Sequence, residues 1–205
     1  MSYDATFRVV STINVLGGAG VRKMKYFSFD GFKFSPIYLG GLTDEIRYGY
    51  LFVESSDYSY NYYDAIKNTI YLKFTSAGTV QEQGMIVHEA THTMFDFQGK
   101  VMTVSVSESL AYITQCMYVR LHTSQDVIDA GIRLSDLDNA GHPTAKDGVF
   151  QYGWEIAGKI IASTSSPTSV YTVSDKDVQD MKNAVAANPN YKSNASNYTD
   201  YNGYR

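Results

Sequence analysis

Met85-Ile86-Val87-His88-Glu89-Ala90-Thr91-His92-Thr93-Met94-Phe95-Asp96-Phe97 is the stretch on which the reading of this chain turns. It contains the pattern H-E-x-x-H at 88–92, which uses two of the four histidines in 205 residues. On a helix, residues four apart lie on one face a turn apart, so both imidazoles can reach one ion. Glu89 falls about 100° round that helix, within reach of a water beside the ion. With this composition the pattern arises by chance in roughly one such chain in five hundred, so it is a strong signal.

The neighbouring sequence supplies a frame. Asn68-Thr-Ile-Tyr-Leu-Lys-Phe74 alternates, with Ile70, Leu72 and Phe74 on one face and Tyr71 and Lys73 on the other, which predicts a half-buried strand. Thr79 stands three residues before Glu82, a capping-box start for a helix running to Phe97, with Gly99 just past its end. Ser105 stands three before Glu108, and Val106, Leu110, Ile113, Met117 and Leu121 recur at helical spacing, so a second helix follows.

A zinc centre that does hydrolysis takes three protein ligands and keeps one position for water. His88 and His92 supply two. A third at position 98, in the metzincin manner, fails because Gln98 stands there and Phe95 replaces the required glycine. Asp96 lies on the same helix as the histidines; three ligands on one straight helix are too spread for one ion, so Asp96 is expected behind the ligands or as a helix-end charge. Glu108, sixteen residues after His92, is the preferred third ligand, although it could instead be the back-bonding member of the Ser105 capping box.

With Glu108-Ser-Leu-Ala-Tyr112 the chain resembles the gluzincin branch of the zincin metallopeptidases over roughly residues 69–122. The E-x-x-A-Y pattern is similar to that of small bacterial zincins, some of them secreted effectors or toxins. The resemblance implies an α+β, zincin-like domain: a small mixed or antiparallel sheet, an active-site helix and a glutamate-bearing helix. It implies Zn2+ on His88, His92 and Glu108, with Glu89 as general base, cleaving peptide bonds in a peptide or protein substrate. It also implies that strand 69–74 is the edge on which substrate lies. An amide bond of a cell-wall peptide is the alternative substrate. A non-catalytic, zincin-shaped binding module is the alternative role, and a purely structural zinc usually closes all four positions, often with Cys.

Elsewhere, residues 5–15 are rich in β-branched residues and predict a strand, followed by a turn at 17–20. Asp30-Gly31 between aromatic arms predicts a hairpin, Gly40-Gly41 a turn, and 46–54 a strand. The segment 123–147 reads as loop. Helices are expected over 148–162 and from Ser174 to Ala187, stopped by Asn188-Pro189. A single zincin-like domain over 1–187 is then followed by a polar Tyr/Asn-rich tail, 188–205, poorly ordered or tied down only by its tyrosines. Gly84 reads as an incidental helix glycine, Cys116 as a buried, inert thiol. Tyr112, His122, His142 and Tyr152 are candidate donors to a developing oxyanion.

Hydrophobic content of 44% and charged content of 19% are those of a globular chain, and one cysteine excludes an internal disulfide. A net charge of −4 weighs against nucleic acid, and no apolar run reaches the ~20 residues of a membrane span. Eighteen tyrosines against one tryptophan suggest strand propensity, or an aromatic surface for peptide or glycan. The opening residues lack a basic stretch before an apolar core, so no Sec-type signal peptide is expected and export would take a signal-less route. Compartment and oligomeric state stay open.

Overall fold

The computed structural model describes residues 3–122, 148–163 and 168–203. The expected loop at 123–147, with His142, lies outside the described residues. The architecture is mixed α and β, with small sheets beside a helical layer, compatible with the α+β class. No helix among the described residues is long and apolar enough to cross a membrane.

The first element overturns an expectation. Residues 3–16 form helix α1 (Tyr3–Leu16), not a strand. Arg8, Thr12, Val15 and Leu16 are buried, a helical spacing that β-propensity hides. Arg8 Nε donates to Phe74 O at 3.1 Å and Thr12 Oγ1 to Arg8 O at 2.9 Å, so the buried polar groups on this face are satisfied. The glycine turn then leads into the short helix α2 (Ala19–Lys23).

The expected hairpin is present. Strands β1 (Phe27–Phe29) and β2 (Phe32–Phe34) pair antiparallel around Asp30 and Gly31, both at positive φ (+49° and +82°). This is the two-residue turn that Asp-Gly favours, because it matches strand twist. Phe27, Phe29 and Phe34 are buried beneath it.

Gly40 and Gly41 do not make a turn. They lie inside helix α3 (Pro36–Tyr48), which Ser35 caps and Gly49, at φ +77°, ends. Each internal glycine costs about 1 kcal/mol against alanine. Burial of Leu39, Leu42 and Ile46 returns roughly 1.5–3 kcal/mol apiece, so packing wins. The strand expected over 46–54 is therefore reduced to β3 (Phe52–Ser55).

Strands β4 (Tyr62–Asp64) and β5 (Thr69–Leu72) complete a three-stranded mixed sheet in the order β3-β5-β4. β5 runs parallel to β3 and antiparallel to β4. The predicted half-buried alternation holds, with Ile70 and Leu72 inside and Tyr71 partly exposed. Its predicted place does not: β5 is the central strand, and the edge beside the motif helix is β4. The second sheet, β2-β1-β6 with β6 at Tyr171–Thr172, is also three-stranded.

Helix α4 (Val80–Phe97) carries the motif, and helix α5 (Val104–His122) packs along it. Helices α6 (Val149–Ala162) and α7 (Asp175–Ala187) cover the far side of α5. Gly84 is not incidental. A Cβ there would lie 2.9 Å from Val119 Cγ2, so glycine lets α4 and α5 approach closely at their crossing. That close contact brings together the helix that carries His88 and His92 and the helix that carries Glu108.

Residues 188–203 are not a loose tail. Ser105 N donates to Ala195 O (3.0 Å), Val104 N to Asn197 O (2.8 Å) and Thr199 N to Met102 O (2.8 Å). The segment is tied along the start of α5 by main-chain bonds as well as by its tyrosines.

Candidate metal centre

The motif helix begins as its sequence requires. Glu82 N donates to Thr79 Oγ1 (3.2 Å) and Thr79 N to Glu82 Oε2 (2.9 Å), which satisfies two free N–H groups reciprocally. The helix ends at Phe97, with Gly99 at φ +62° beyond it. Every residue from Gly84 to Asp96 is buried, so the two histidines sit in a packed interior and open only to the cleft above them. Thr91 and Thr93 turn their hydroxyls back to the carbonyls four residues earlier, so they need no other partner.

Each imidazole has one nitrogen held from behind. His88 Nδ1 lies 3.0 Å from Gln115 Oε1, so it donates and the ring's lone pair is on Nε2. The Tyr112 ring meets the His88 ring edge to face at 4.7 Å and fixes its plane. His92 Nδ1 lies 2.8 Å from Ser107 Oγ and 2.9 Å from the Tyr201 hydroxyl. Both Nε2 atoms therefore face the cleft.

Glu108 meets them there. Its Oε2 lies 3.5 Å from His88 Nε2 and its Oε1 lies 3.6 Å from His92 Nε2. These separations are too long for hydrogen bonds. They match the spacing of about 3.3 Å between donors on one tetrahedral ion with bonds near 2 Å. Glu108 Oε2 is buried and has no hydrogen-bond partner, which is costly unless something positive sits beside it. Glu108 does not serve as a cap: the helix starts at Val104, and Ser105 N–H is already taken by Ala195 O. Distance alone also groups Glu89 with the histidines, since one donor atom from each of His88, Glu89 and His92 lies within 4.8 Å of the others. These side chains form a buried cluster that could hold a metal ion.

The electrostatics favour a cation. Burial pushes the His92 imidazole down to about 4, against the pull of Glu108, so it is neutral at pH 7. Burial likewise opposes charge on His88 and on Glu108. Yet the Glu108 and Glu89 carboxylates raise His88, and the imidazoles of His92 and His88 hold Glu108 below its ordinary value. The carboxylates thus favour positive charge on His88, while burial keeps His92 neutral. Burial pushes Glu89 up to about 7, moderated by His88, while Glu108 pushes the same way and the backbone N–H of Tyr63 opposes.

A cleft of about 1030 Å³ opens over this cluster. One wall is β4 with its flanking turns, residues 59–66; the other is the segment 190–201. Asp96 joins the two. Its Oδ2 accepts from the Tyr63 hydroxyl (2.6 Å) and its Oδ1 from Asn202 N (2.7 Å) and Gly203 N (3.2 Å). Asp96 is therefore not a ligand but the point where both walls are fastened to the end of α4.

None of the described oxyanion candidates lines the cleft. Tyr112 lies beneath His88, with its hydroxyl 3.2 Å from that of Tyr191. His122 stacks on Tyr118 at the far end of α5, and Tyr152 packs beside Gly148. Three tyrosines that line the cleft do stand by the cluster: Tyr63 on Asp96, Tyr191 beside Glu108 and Tyr201 on His92. Sequence reasoning missed all three, because no periodicity or motif marks them; their one signal is tyrosine inside otherwise polar sequence. Cys116 is buried on α5 and burial pushes its thiol up to about 12, so it is inert. The chain matches no protein-family model, no curated protein and no solved structure.

Proposed function

We propose that this chain is a zinc-dependent hydrolase that cleaves peptide bonds, with a gluzincin-like ligand set of His88, His92 and Glu108 and with Glu89 as general base. The observation that carries the reading is the position of Glu108: a buried carboxylate, one oxygen without a partner, spaced from both imidazoles as donors on one ion are. Two neutral imidazoles and one carboxylate suit zinc, and the three leave the cleft side open for water.

Bound zinc would acidify that water and polarise the carbonyl to be attacked. Glu89 then does the proton work. Burial raises the proton affinity of this carboxylate in the metal-free chain, which favours its taking a proton from the water. It accepts one from the attacking water and delivers it to the leaving amine as the C–N bond breaks, so one water is consumed and an acid and an amine leave.

The peptide reading is favoured over other amides by β4. It pairs with β5 along one side, and its other side borders the cleft beside Glu89. An extended substrate backbone can add to that edge as a further strand, with its carbonyl carried toward the ion. This moves the substrate edge from 69–74 to 62–64.

The test is metal analysis of the purified protein, then hydrolysis of an unbiased peptide library by wild type and Glu89→Gln. The expected result is bound zinc in both proteins and cleavage in wild type alone. Equal cleavage, or none by either protein, would sink the peptidase reading. Glu108→Ala is expected to lose zinc; full retention would remove Glu108 from the ligand set.

A further inference from the structure

We propose that the C-terminal segment 190–203 and the metal centre are one coupled unit, in which Tyr201 positions His92 and docking of the segment tightens metal binding. This rests on the reading of His88, His92 and Glu108 as ligands. Composition gives no hint of it, because the segment is polar and follows the last helix.

The coupling starts at one hydrogen bond. A histidine that offers Nε2 to a metal carries its proton on Nδ1, and the acceptor of that proton sets the ring's angle and basicity. For His92 there are two acceptors, Ser107 Oγ at 2.8 Å and the Tyr201 hydroxyl at 2.9 Å, themselves 2.7 Å apart. Ser107 precedes Glu108 on α5, whereas Tyr201 comes from the returning segment. The triangle of contacts therefore ties the segment to the ligand from the motif helix and to the helix that bears the third ligand. His88 is held differently, with Nδ1 on Gln115 Oε1 of α5 at 3.0 Å.

A second contact acts on the carboxylate ligand. Tyr191 lines the cleft beside Glu108, and its hydroxyl lies 3.2 Å from that of Tyr112. Removing the segment would thus strip support from His92 and from Glu108 while leaving the Gln115 bond to His88 in place.

The segment is held weakly enough for the coupling to run in both directions. Between Asn190 and Gly203 it buries one apolar side chain, Ala195, together with much of Tyr191 and Tyr201. Its other attachments are polar: main-chain bonds to the start of α5, the two N–H groups on Asp96, Asn202 Nδ2 on Ala65 O (3.3 Å) and Met102 N on Thr199 Oγ1 (3.4 Å). Segments with few buried apolar contacts open locally at lower cost than the core. If docking orients His92 for the metal, then by thermodynamic reciprocity the metal must hold the segment down by the same factor.

The experiment measures zinc affinity by competition with a chromogenic chelator for wild type, Tyr201→Phe and Tyr198→Phe. Amide exchange at Asn202 and Gly203 is followed with and without zinc. Phenylalanine keeps the ring and removes only the hydroxyl; Tyr198, 71% exposed on the same segment, controls for loss of any tyrosine hydroxyl. Tyr201→Phe is expected to weaken zinc about 10-fold, with Ser107 limiting the loss, and Tyr198→Phe to leave it unchanged. Zinc is expected to slow exchange at Asn202 and Gly203 in wild type, and to slow it about 10-fold less in Tyr201→Phe. Unchanged zinc affinity in Tyr201→Phe, or exchange in wild type indifferent to zinc, overturns the coupling. Should Tyr201→Phe not fold, the wild-type exchange measurement decides alone. Wild type that binds no zinc removes the metal reading and the coupling with it, a result distinct from binding that ignores Tyr201.

Discussion

The two walls of the cleft are made of similar material and are held by different physics. Residues 58–66 and 190–203 are both rich in tyrosine, asparagine, serine and aspartate, and both are poor in aliphatic residues. The first is wall by virtue of a sheet: β4 pairs with β5, and Tyr62 stacks on Tyr71 at 4.6 Å and joins the cluster of Tyr58 and Tyr60. The second has one isolated antiparallel bridge, Tyr198 with Thr103, and among the described residues no aromatic stack of that kind. It lies in place because scattered main-chain groups find acceptors and donors on α5 and on Asp96. Composition alone would have given both the same reading. What separates them is whether a neighbour with matching hydrogen bonds is fixed nearby.

Asp96 is where the comparison can be broken most severely, because it serves both walls. Asp96→Ala would leave the Asn202 and Gly203 N–H groups without their acceptor, and the Tyr63 hydroxyl with only its longer bond to Asn68 Oδ1 (3.3 Å). The expected loss is about 3 kcal/mol or more, read as a lowered urea midpoint, with amide protection lost at Asn202. A loss under about 1 kcal/mol with the segment still protected would show that the walls do not depend on this residue.

Glu89, between the walls, gives the next effect, in metal-free protein. Burial lifts it from 4.5 to about 7, so across that interval the folded state holds a proton that the unfolded chain has released. Stability contributed at this position is therefore full below about pH 4.5 and is lost as pH rises through 7. Glu89→Gln cannot ionise. Its advantage over wild type is expected to grow from near zero at pH 4.5 to about 3 kcal/mol above pH 7, measured by unfolding at each pH. The lowered His92 is common to both proteins and cancels in the difference, whereas His88, which the Glu89 carboxylate raises, titrates lower in Glu89→Gln. A difference that is flat with pH would mean that Glu89 is solvated by the strand wall far better than its burial implies.

Tyr63→Phe should do least. It removes the 2.6 Å bond to Asp96 and leaves the β4–β5 ladder in place, so a loss of about 1–2 kcal/mol is expected, with exchange at Asn202 unchanged. Faster exchange at Asn202 in that variant would mean that the strand wall and the returning segment move together rather than being fastened separately.

How far the sequence carried the reading follows from where the deciding forces lie. The motif helix was legible to its ends, because Thr79, Glu82 and Gly99 act on their own neighbours in the chain. So were the Asp30-Gly31 hairpin and the helix opened by Ser174. Helix α1 was misread because local β-propensity is weaker than the burial of Arg8, Thr12, Val15 and Leu16 against elements not adjacent in sequence. α3 was misread in the same way, its glycines outvoted by three buried aliphatics. Gly84 looked incidental because the residue it makes room for, Val119, is thirty-five positions away.

For the site the division is similar. By itself the sequence determined the chemistry available: two imidazoles on one helical face, Glu89 beside them and a carboxylate on the next helix, all fixed by periodicity and spacing. Only the tertiary structure decided that Glu108 faces the imidazoles rather than capping its helix, that the free strand edge is β4, and that Tyr191 and Tyr201 return to the site. Those outcomes rest on contacts between residues up to about a hundred positions apart, such as His92 with Tyr201. Periodicity reports which face of an element is buried, but it carries no information about which distant hydroxyl will meet that face.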